Sequence, residues 1–405
     1  MSQMTFDGNQ NEMASQTLKK RVLFVITQSE IGGAQQFLAR FLSLLNQEKF
    51  DYMVAAGSDG AQELKDLLPG QTPYFAVKNL RRNPSLSQDI KAVFELKKIL
   101  LEYRPDILFL LSSKAGFLGS YAAKKAAKEL PSLKVIYRIG GWTFNDPWGG
   151  FKKRFYRFLE KRSAPWKDYI VVNSSSDLKT AQELNFKPRK ELLLIHNGID
   201  PYMEFLERNE AREKLIEIAQ RTAIGQENIP LDDKHIVGTI ANLYPAKGIS
   251  NLIRAAAQSD SQTVFFIIGD GMLRPQLEKE IASSGLQQKV FLLGKLENAH
   301  KYIPGFDVFF LPSVKEGFPW VILEAMAAKV PVIASSVGAV PEVINSYQSG
   351  ILVRPGQPEQ VIEAIKAVRS NEALRKEIII QAHQTIIKNF ALRPMVEQYE
   401  QLFNA

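Results

Sequence analysis

A chain of 405 residues exceeds one ordinary domain, and two of about 150–200 residues each are expected. It has no cysteine, which excludes disulfide scaffolds, thiol nucleophiles and cysteine-ligated zinc; its 45% hydrophobic and 23% charged residues are those of an ordinary globular protein. The net charge of +8 lies wholly in the first half: residues 1–200 carry 30 Lys and Arg against 20 Asp and Glu, and residues 201–405 carry 21 against 23.

Residues 1–18 are polar, rich in Gln and Asn, and lack the apolar stretch of a signal peptide, so a disordered leader is expected. No run approaches the roughly 18 apolar residues of a membrane span. A cytoplasmic protein is expected, peripheral on the inner face of the plasma membrane if its basic surface binds lipid. Arg21 to Thr27 reads as a short strand, followed by Gly32-Gly33-Ala34-Gln35 and a helical pattern to Leu45. Two glycines at a strand end let backbone approach a ligand, and a helix start offers free N–H groups to an anion; a plain tight turn fits equally. Tyr52 to Ala56 and Ile107 to Leu111 are strands, with helices at 61–68 and 90–102. Ser112-Ser113-Lys114 then leads into a helix at 115–130, where a serine can cap and Lys114 adds a cation. Val135 to Ile139 is a strand that runs into Gly140-Gly141-Trp142.

The densest basic patch spans residues 151–162, where Lys152, Lys153, Arg154, Arg157, Lys161 and Arg162 interleave with Phe151, Phe155, Tyr156 and Phe158. This is an amphipathic helix with two readings: aromatics packed into a core, or contact with an anionic membrane surface or a phosphorylated substrate. No nucleic-acid recognition motif accompanies it, and no nucleic acid is expected as a partner. Tyr169 to Asn173 and Leu192 to Ile195 complete the first set of strands, and the turn-rich Asn197-Gly198-Ile199-Asp200 marks the domain boundary.

A charged helical stretch without strand signal follows, from Glu204 to Pro230, and strands and helices then alternate again. Strands are expected at 235–241, 264–269, 290–293, 308–311, 332–334 and 350–353, with helices at 249–258, 274–284, 320–328, 358–370 and 393–403. Repeated strand–helix units with apolar strands predict an α/β chain of doubly wound parallel sheets covered on both faces. Three motifs sit at strand ends. Asn242 to Gly248 brings Lys247 to the start of a helix, where its charge suits a diphosphate. Gly269-Asp270-Gly271 makes a sharp turn but lacks the full dinucleotide spacing. Glu316-Gly317-Phe318-Pro319-Trp320-Val321-Ile322-Leu323-Glu324 puts one carboxylate before an apolar helix and one inside it, with Pro319 suited to its first turn. Carboxylates accept hydrogen bonds from sugar hydroxyls, and the intervening helix start can face a phosphate.

Together these segments resemble glycosyltransferase family 4, the retaining group 1 enzymes of GT-B fold, from about Lys19 to Phe403. The two Glu separated by seven residues match Glu316 and Glu324, the phosphate-loop Lys-Gly matches Lys247-Gly248, and the early Gly-Gly-Ala loop matches Gly32 to Ala34. Asn197 to Asp200 and Val337 to Glu342 are also similar to family segments. The resemblance implies two Rossmann-like domains facing a central cleft: 19–198 for the acceptor and 199–388 for a nucleoside-diphosphate sugar, with a helix in 389–405 crossing back to the first. It implies a nucleoside-diphosphate sugar donor, retention of configuration and no required metal; a UDP- or GDP-sugar and no other cofactor are expected, and the basic first half suggests a saccharide acceptor on a polyprenyl diphosphate.

By the same resemblance Lys247 and Glu316 are catalytic. The donor set is Gly33, Asn242, Lys247, Gly269, Gly271, Glu316, Gly317, Phe318 and Glu324, with Lys247 on the diphosphate, Glu316 on the donor sugar and Glu324 on the ribose. The acceptor side is Gly32, Ser113, Lys114, Arg138 and Asn145. Two positions depart from the pattern: Asn242 stands where many members have arginine, and Gly140 where they often have histidine. Another GT-B enzyme, such as an epimerase or an inverting transferase, and a catalytically silent relative remain as rival readings.

Overall fold

The computed structural model describes residues 19–29, 32–146, 148–222 and 230–405, and the expected leader lies outside them. In the first domain the order is β1 Lys20–Ile26, α1 Gly33–Leu44, β2 Phe50–Gly57, α2 Ala61–Leu67, β3 Tyr74–Val77, α3 Leu86–Tyr103, β4 Ile107–Leu110, α4 Ser113–Lys125, β5 Lys134–Ile139, α5 Gly150–Ser163, β6 Tyr169–Val172, α6 Ser175–Glu183 and β7 Glu191–Leu194. The second continues with α7 Arg208–Thr222, β8 His235–Ile240, α8 Ile249–Gln258, β9 Thr263–Ile268, α9 Arg274–Ser283, β10 Val290–Gly294, β11 Val308–Leu311, α10 Trp320–Ala327, β12 Val332–Ser335, α11 Val340–Val343, β13 Ile351–Val353, α12 Pro358–Ser370 and α13 Glu372–Asn389. The chain ends in α14, Leu392–Asn404.

The seven-stranded sheet has the order β3-β2-β1-β4-β5-β6-β7, the six-stranded one β10-β9-β8-β11-β12-β13. Every strand pair within them is parallel, as consecutive crossover helices require. Successive residues of β1 serve opposite faces. Val22, Phe24 and Ile26 join the core under α1 and α14, and Leu23 and Val25 join the core under α3 and α4. The winding reverses between β1 and β4 and again between β8 and β11. A crevice opens at the carboxyl ends of the strands at such switch points, which is where open α/β sheets bind ligands.

The two domains are joined twice, and the two joints bond to each other. Ile199 N–H donates to Phe390 O at 2.8 Å, and Leu392 N–H donates to Ile199 O at 2.9 Å. Beyond this joint α14 packs on the first domain, burying Met395, Val396, Tyr399, Leu402 and Phe403 against Phe24, Phe37, Phe41 and Phe109. Three elements lie outside the expected ones: the short edge strand β3, the one-turn helix α11 and the helix α13. The charged stretch from 204 forms α7, whose Leu215 and Ala219 are buried in the second domain's core. Among the described residues, no helix is long and apolar enough to cross a membrane.

Candidate active site

The loop after β8 closes on one 3-10 turn, Pro245–Lys247, and Gly248, at φ 62°, hands the chain to α8. The loop after β11 runs beside it: Val314 N–H donates to Ala246 O at 2.9 Å. This places Lys247 and Glu316 face to face at the second switch point. Lys247 Nζ stands 2.7 Å from Glu316 Oε1, and the Ser313 hydroxyl donates to the same oxygen at 2.6 Å. The Glu316 carboxylate is nearly buried, while Lys247 is part-exposed. A desolvated carboxylate needs such partners, and both groups are available to exchange their mutual contact for a ligand's phosphate and hydroxyl.

Pro319 is the N-cap of α10, and Glu324 lies one turn inside that helix. Its Oε1 accepts a 2.6 Å hydrogen bond from Arg40 Nη2, which comes from α1 of the other domain. The Arg40 guanidinium also lies over the Trp320 ring, 4.8 Å from its centroid. Other groups draw the domains together along the same line. Lys315 pairs with Asp146. Gly317 passes so close to the first domain that a Cβ there would stand 2.5 Å from Gly140 O. Glu342 reaches the start of α6, accepting from Ser175 N–H at 2.8 Å and Ser176 N–H at 3.2 Å, and its Oε2 lies 3.1 Å from His196 Nε2. Burial acts to raise the Glu342 carboxyl, but these N–H groups and His196 outweigh it and hold the pKa below 4.5.

The structure thus brings Lys247 and Glu316 together, with Glu324 further along α10. Gly33, at the start of α1, faces Trp320: a Cβ there would lie 3.5 Å from the indole. Gly269, at φ 141°, is required by backbone crowding, because a Cβ would stand 1.9 Å from Ala241 O. Gly271 crowds Leu243 in the same way, so the Gly-Asp-Gly turn packs against the lysine loop. Asn242 is exposed on that loop. The Phe318 ring is buried, 5.5 Å from both His196 and Phe390.

On the first domain's edge Gly32 is the N-cap of α1. Ser112 caps α4 and, through its Oγ, lies 2.5 Å from Thr27 Oγ1, while Ser113 Oγ lies 2.6 Å from Thr143 Oγ1. Lys114 is paired with Asp89 at 2.6 Å. Asn145 is exposed on a 3-10 turn, Thr143–Asn145. Arg138 faces inward. It is buried over Phe37, 4.0 Å from the ring centroid, and donates to Asn197 Oδ1 at 2.5 Å. It braces β5 against the interdomain joint. Arg40, Ser313 and Glu342 were not expected at the site. Only Glu342 lay in a segment singled out from the sequence; the other two are recruited by the tertiary packing. Among the described residues, no three His, Asp or Glu side chains converge as a metal site would need.

A cavity of about 880 Å³ opens from the first domain's edge. Its inner end is lined by Thr27, Ser112, Ser113, Thr143 and Asp146, and it extends between α3 and α5 over α4.

Two doubly wound domains meet at their switch points, with a lysine–glutamate pair on one edge and a cavity on the other, an arrangement able to hold two ligands side by side. Comparison with known proteins agrees. The family model for glycosyltransferase family 4 matches residues 31–202, and that for glycosyl transferases group 1 matches residues 220–385. The chain belongs to the group 1, family 4 glycosyltransferases, and is a transferase enzyme.

It is 26% identical over 399 residues, 96% of this chain and 98% of the relative, to the UDP-Gal:alpha-D-GlcNAc-diphosphoundecaprenol alpha-1,3-galactosyltransferase of Escherichia coli. It is 28% identical, over 85% of this chain and 89% of the relative, to a Campylobacter jejuni enzyme. That enzyme is the N-acetylgalactosamine-N,N'-diacetylbacillosaminyl-diphospho-undecaprenol 4-alpha-N-acetylgalactosaminyltransferase. Anabaena HepE in complex with UDP-glucose shares the fold, with a TM-score of 0.79 at 20% identity over 95% of this chain and all of that one.

Proposed function

We propose that this enzyme transfers a hexosyl group from a UDP-sugar, with retention of configuration, to a hydroxyl of a saccharide carried on a polyprenyl diphosphate in cell-surface polysaccharide assembly. The observation that carries the reading is the Lys247–Glu316 pair, 2.7 Å apart at the second domain's switch point. Two relatives whose names specify diphospho-undecaprenol substrates along nearly the full length of the chain support the acceptor class.

In this reading the bond between the sugar's anomeric carbon and the β-phosphate oxygen breaks, and UDP leaves. The acceptor oxygen bonds to the anomeric carbon on the same face, and its proton passes to the departing phosphate. Lys247 and backbone N–H groups of the two loops meet the charge that grows on the diphosphate, with no metal ion needed there. Glu316 exchanges Lys247 for a donor hydroxyl, and Glu324 exchanges Arg40 for the ribose. Asp146, a first-domain carboxylate at this edge, is held by Lys315, so no enzyme nucleophile is invoked. The basic helix α5 rests on an anionic membrane surface. Its Phe151 and Phe158 are 88% and 63% exposed, so they are not core residues.

The test is UDP release and glycoside formation with a panel of UDP-hexoses and polyprenyl-diphosphate saccharides, the product's anomeric configuration being read by NMR. Lys247→Ala should lower kcat by about 10²–10³. Undiminished turnover in that variant, or an inverted product, would refute the mechanism.

A further inference from the structure

We infer that the cavity between α3 and α5 is a built site for the isoprenoid chain of a lipid diphosphate, entered from the membrane and ending at the transfer edge. This deepens the proposed function and rests on it for the identity of the head group.

The first observation is polarity along the cavity. Its inner wall is made of hydroxyls, Thr27, Ser112, Ser113 and Thr143, at the carboxyl ends of β1, β4 and β5. From Ser113, α4 runs outward and presents Phe117 and Tyr121, about 6 and 12 Å along the helix at its ordinary rise. Val93 and Phe94 of α3 and Phe155 and Leu159 of α5 complete the outer walls. A ligand polar at one end and largely hydrocarbon beyond it matches this order; Lys97 and Lys125 line the cavity as well.

The second observation is the lip. On α3, Leu86, Ile90 and Phe94 recur every four residues and are exposed, Leu86 by 82% and Phe94 by 68%. Trp148 and Phe155 stand exposed on the α5 side. Two rows of exposed large apolar side chains flanking one cavity mark a surface that meets something apolar. The third observation is charge. Five Lys and Arg line the same cavity against three Asp and Glu, and Lys114, beside Ser113 in the first turn of α4, is paired with Asp89. The fourth is position. Asp146 lines the inner end and is paired with Lys315, which adjoins Glu316. A saccharide seated there lies at the donor loop while its lipid remains in the groove. A volume of about 880 Å³ holds the proximal part of a long chain; the remainder stays in the bilayer.

The discriminating variable is chain length. Each buried methylene is worth about fourfold in affinity, so a chain inside the groove must bind more tightly as it lengthens, until the groove is full. The full chain would be titrated with inorganic diphosphate and with geranyl, farnesyl and geranylgeranyl diphosphate below their micellar concentrations, and separately with UDP. Expected are weak binding of inorganic diphosphate, at least tenfold tighter binding for each early isoprene unit, and a plateau. Phe94→Ser and Phe155→Ser, at exposed positions where folding is preserved, should flatten that increment and leave UDP affinity unchanged. Equal affinity for all the diphosphates would overturn the proposal. Equally tight binding of a straight-chain alcohol of the same length would overturn its diphosphate part and make the face a general lipid surface. Failure of UDP to bind the native protein would instead sink the donor reading, and the chain-length series would still judge the groove.

Discussion

Lys167 is fully buried, 3.8 Å from Glu160 Oε2, and donates to Ser163 Oγ at 2.7 Å; the Tyr137 hydroxyl donates to Glu160 at 3.0 Å. The group lies behind the lipid cavity, of which Glu160 forms a wall. Burial pushes the ammonium down to about 8, against the pull of Glu160, and pushes the Glu160 carboxyl up. The unfolded chain holds the lysine proton up to its ordinary 10.5. More protons are therefore bound unfolded than folded between those values, and stability rises with pH across that window. Lys167→Met leaves a buried carboxylate without its cation and should cost about 3–5 kcal/mol at neutral pH. It should also abolish the rise in the urea midpoint between about pH 8 and pH 10. Adding Glu160→Gln should recover much of the loss, since the two sites are coupled. A single variant as stable as the parent would refute the pairing. From sequence Lys167 was one lysine among many; nothing local distinguishes a buried ammonium from a solvated one.

At the scale of elements, α14 shows how far apart in the chain a core can be assembled. Tyr399 and Phe403 meet Phe109 edge-on, with centroids 5.4 and 5.6 Å away. Lys20 and Lys134 donate to the Phe403 carbonyl at 3.1 and 3.0 Å, satisfying a helix end that would otherwise be unpaired. Phe403→Ala should therefore cost about 3–5 kcal/mol, as for a buried aromatic, seen as a lower midpoint in chemical unfolding of the full chain. A loss under about 1 kcal/mol would mean that α14 is a surface appendage. The apolar spacing of this helix was legible in the sequence, and so were most strands, because buried parallel strands are continuous apolar runs. β3 was not, since Tyr74 to Val77 sits on an edge and is partly exposed. Nor was α13, whose three buried residues, Ile378, Ala382 and Ile386, are a thin stripe in a polar helix.

At the scale of the whole molecule, the two domains are clasped by Arg40–Glu324, Lys315–Asp146 and Glu342 on the start of α6. In the proposed reaction a donor must part the first of these to reach Glu324. The Glu342 clasp has a sign that can be worked out. Its folded pKa lies below the unfolded 4.5, so its stabilisation is complete above 4.5 and is lost as pH falls through the lower, folded value. Glu342→Gln should make acid unfolding shallower below about pH 4.5, and should widen the molecule in small-angle scattering at neutral pH. Identical acid limbs and scattering for variant and parent would show that the clasp does not hold the domains.

The sequence by itself determined the two parallel sheets, and it put the lysine loop and the two glutamates after strands β8 and β11. Apolar periodicity, glycine at crowded turns and charge at strand ends are local in the chain. Only the tertiary structure decided that Arg138 braces a joint, that Phe318 is walled in, that Arg40 holds Glu324, and that α3 and α5 flank one cavity. Each depends on which residues, far apart in the chain, the packing of two domains sets within a few ångströms, and local patterning carries no measure of that distance.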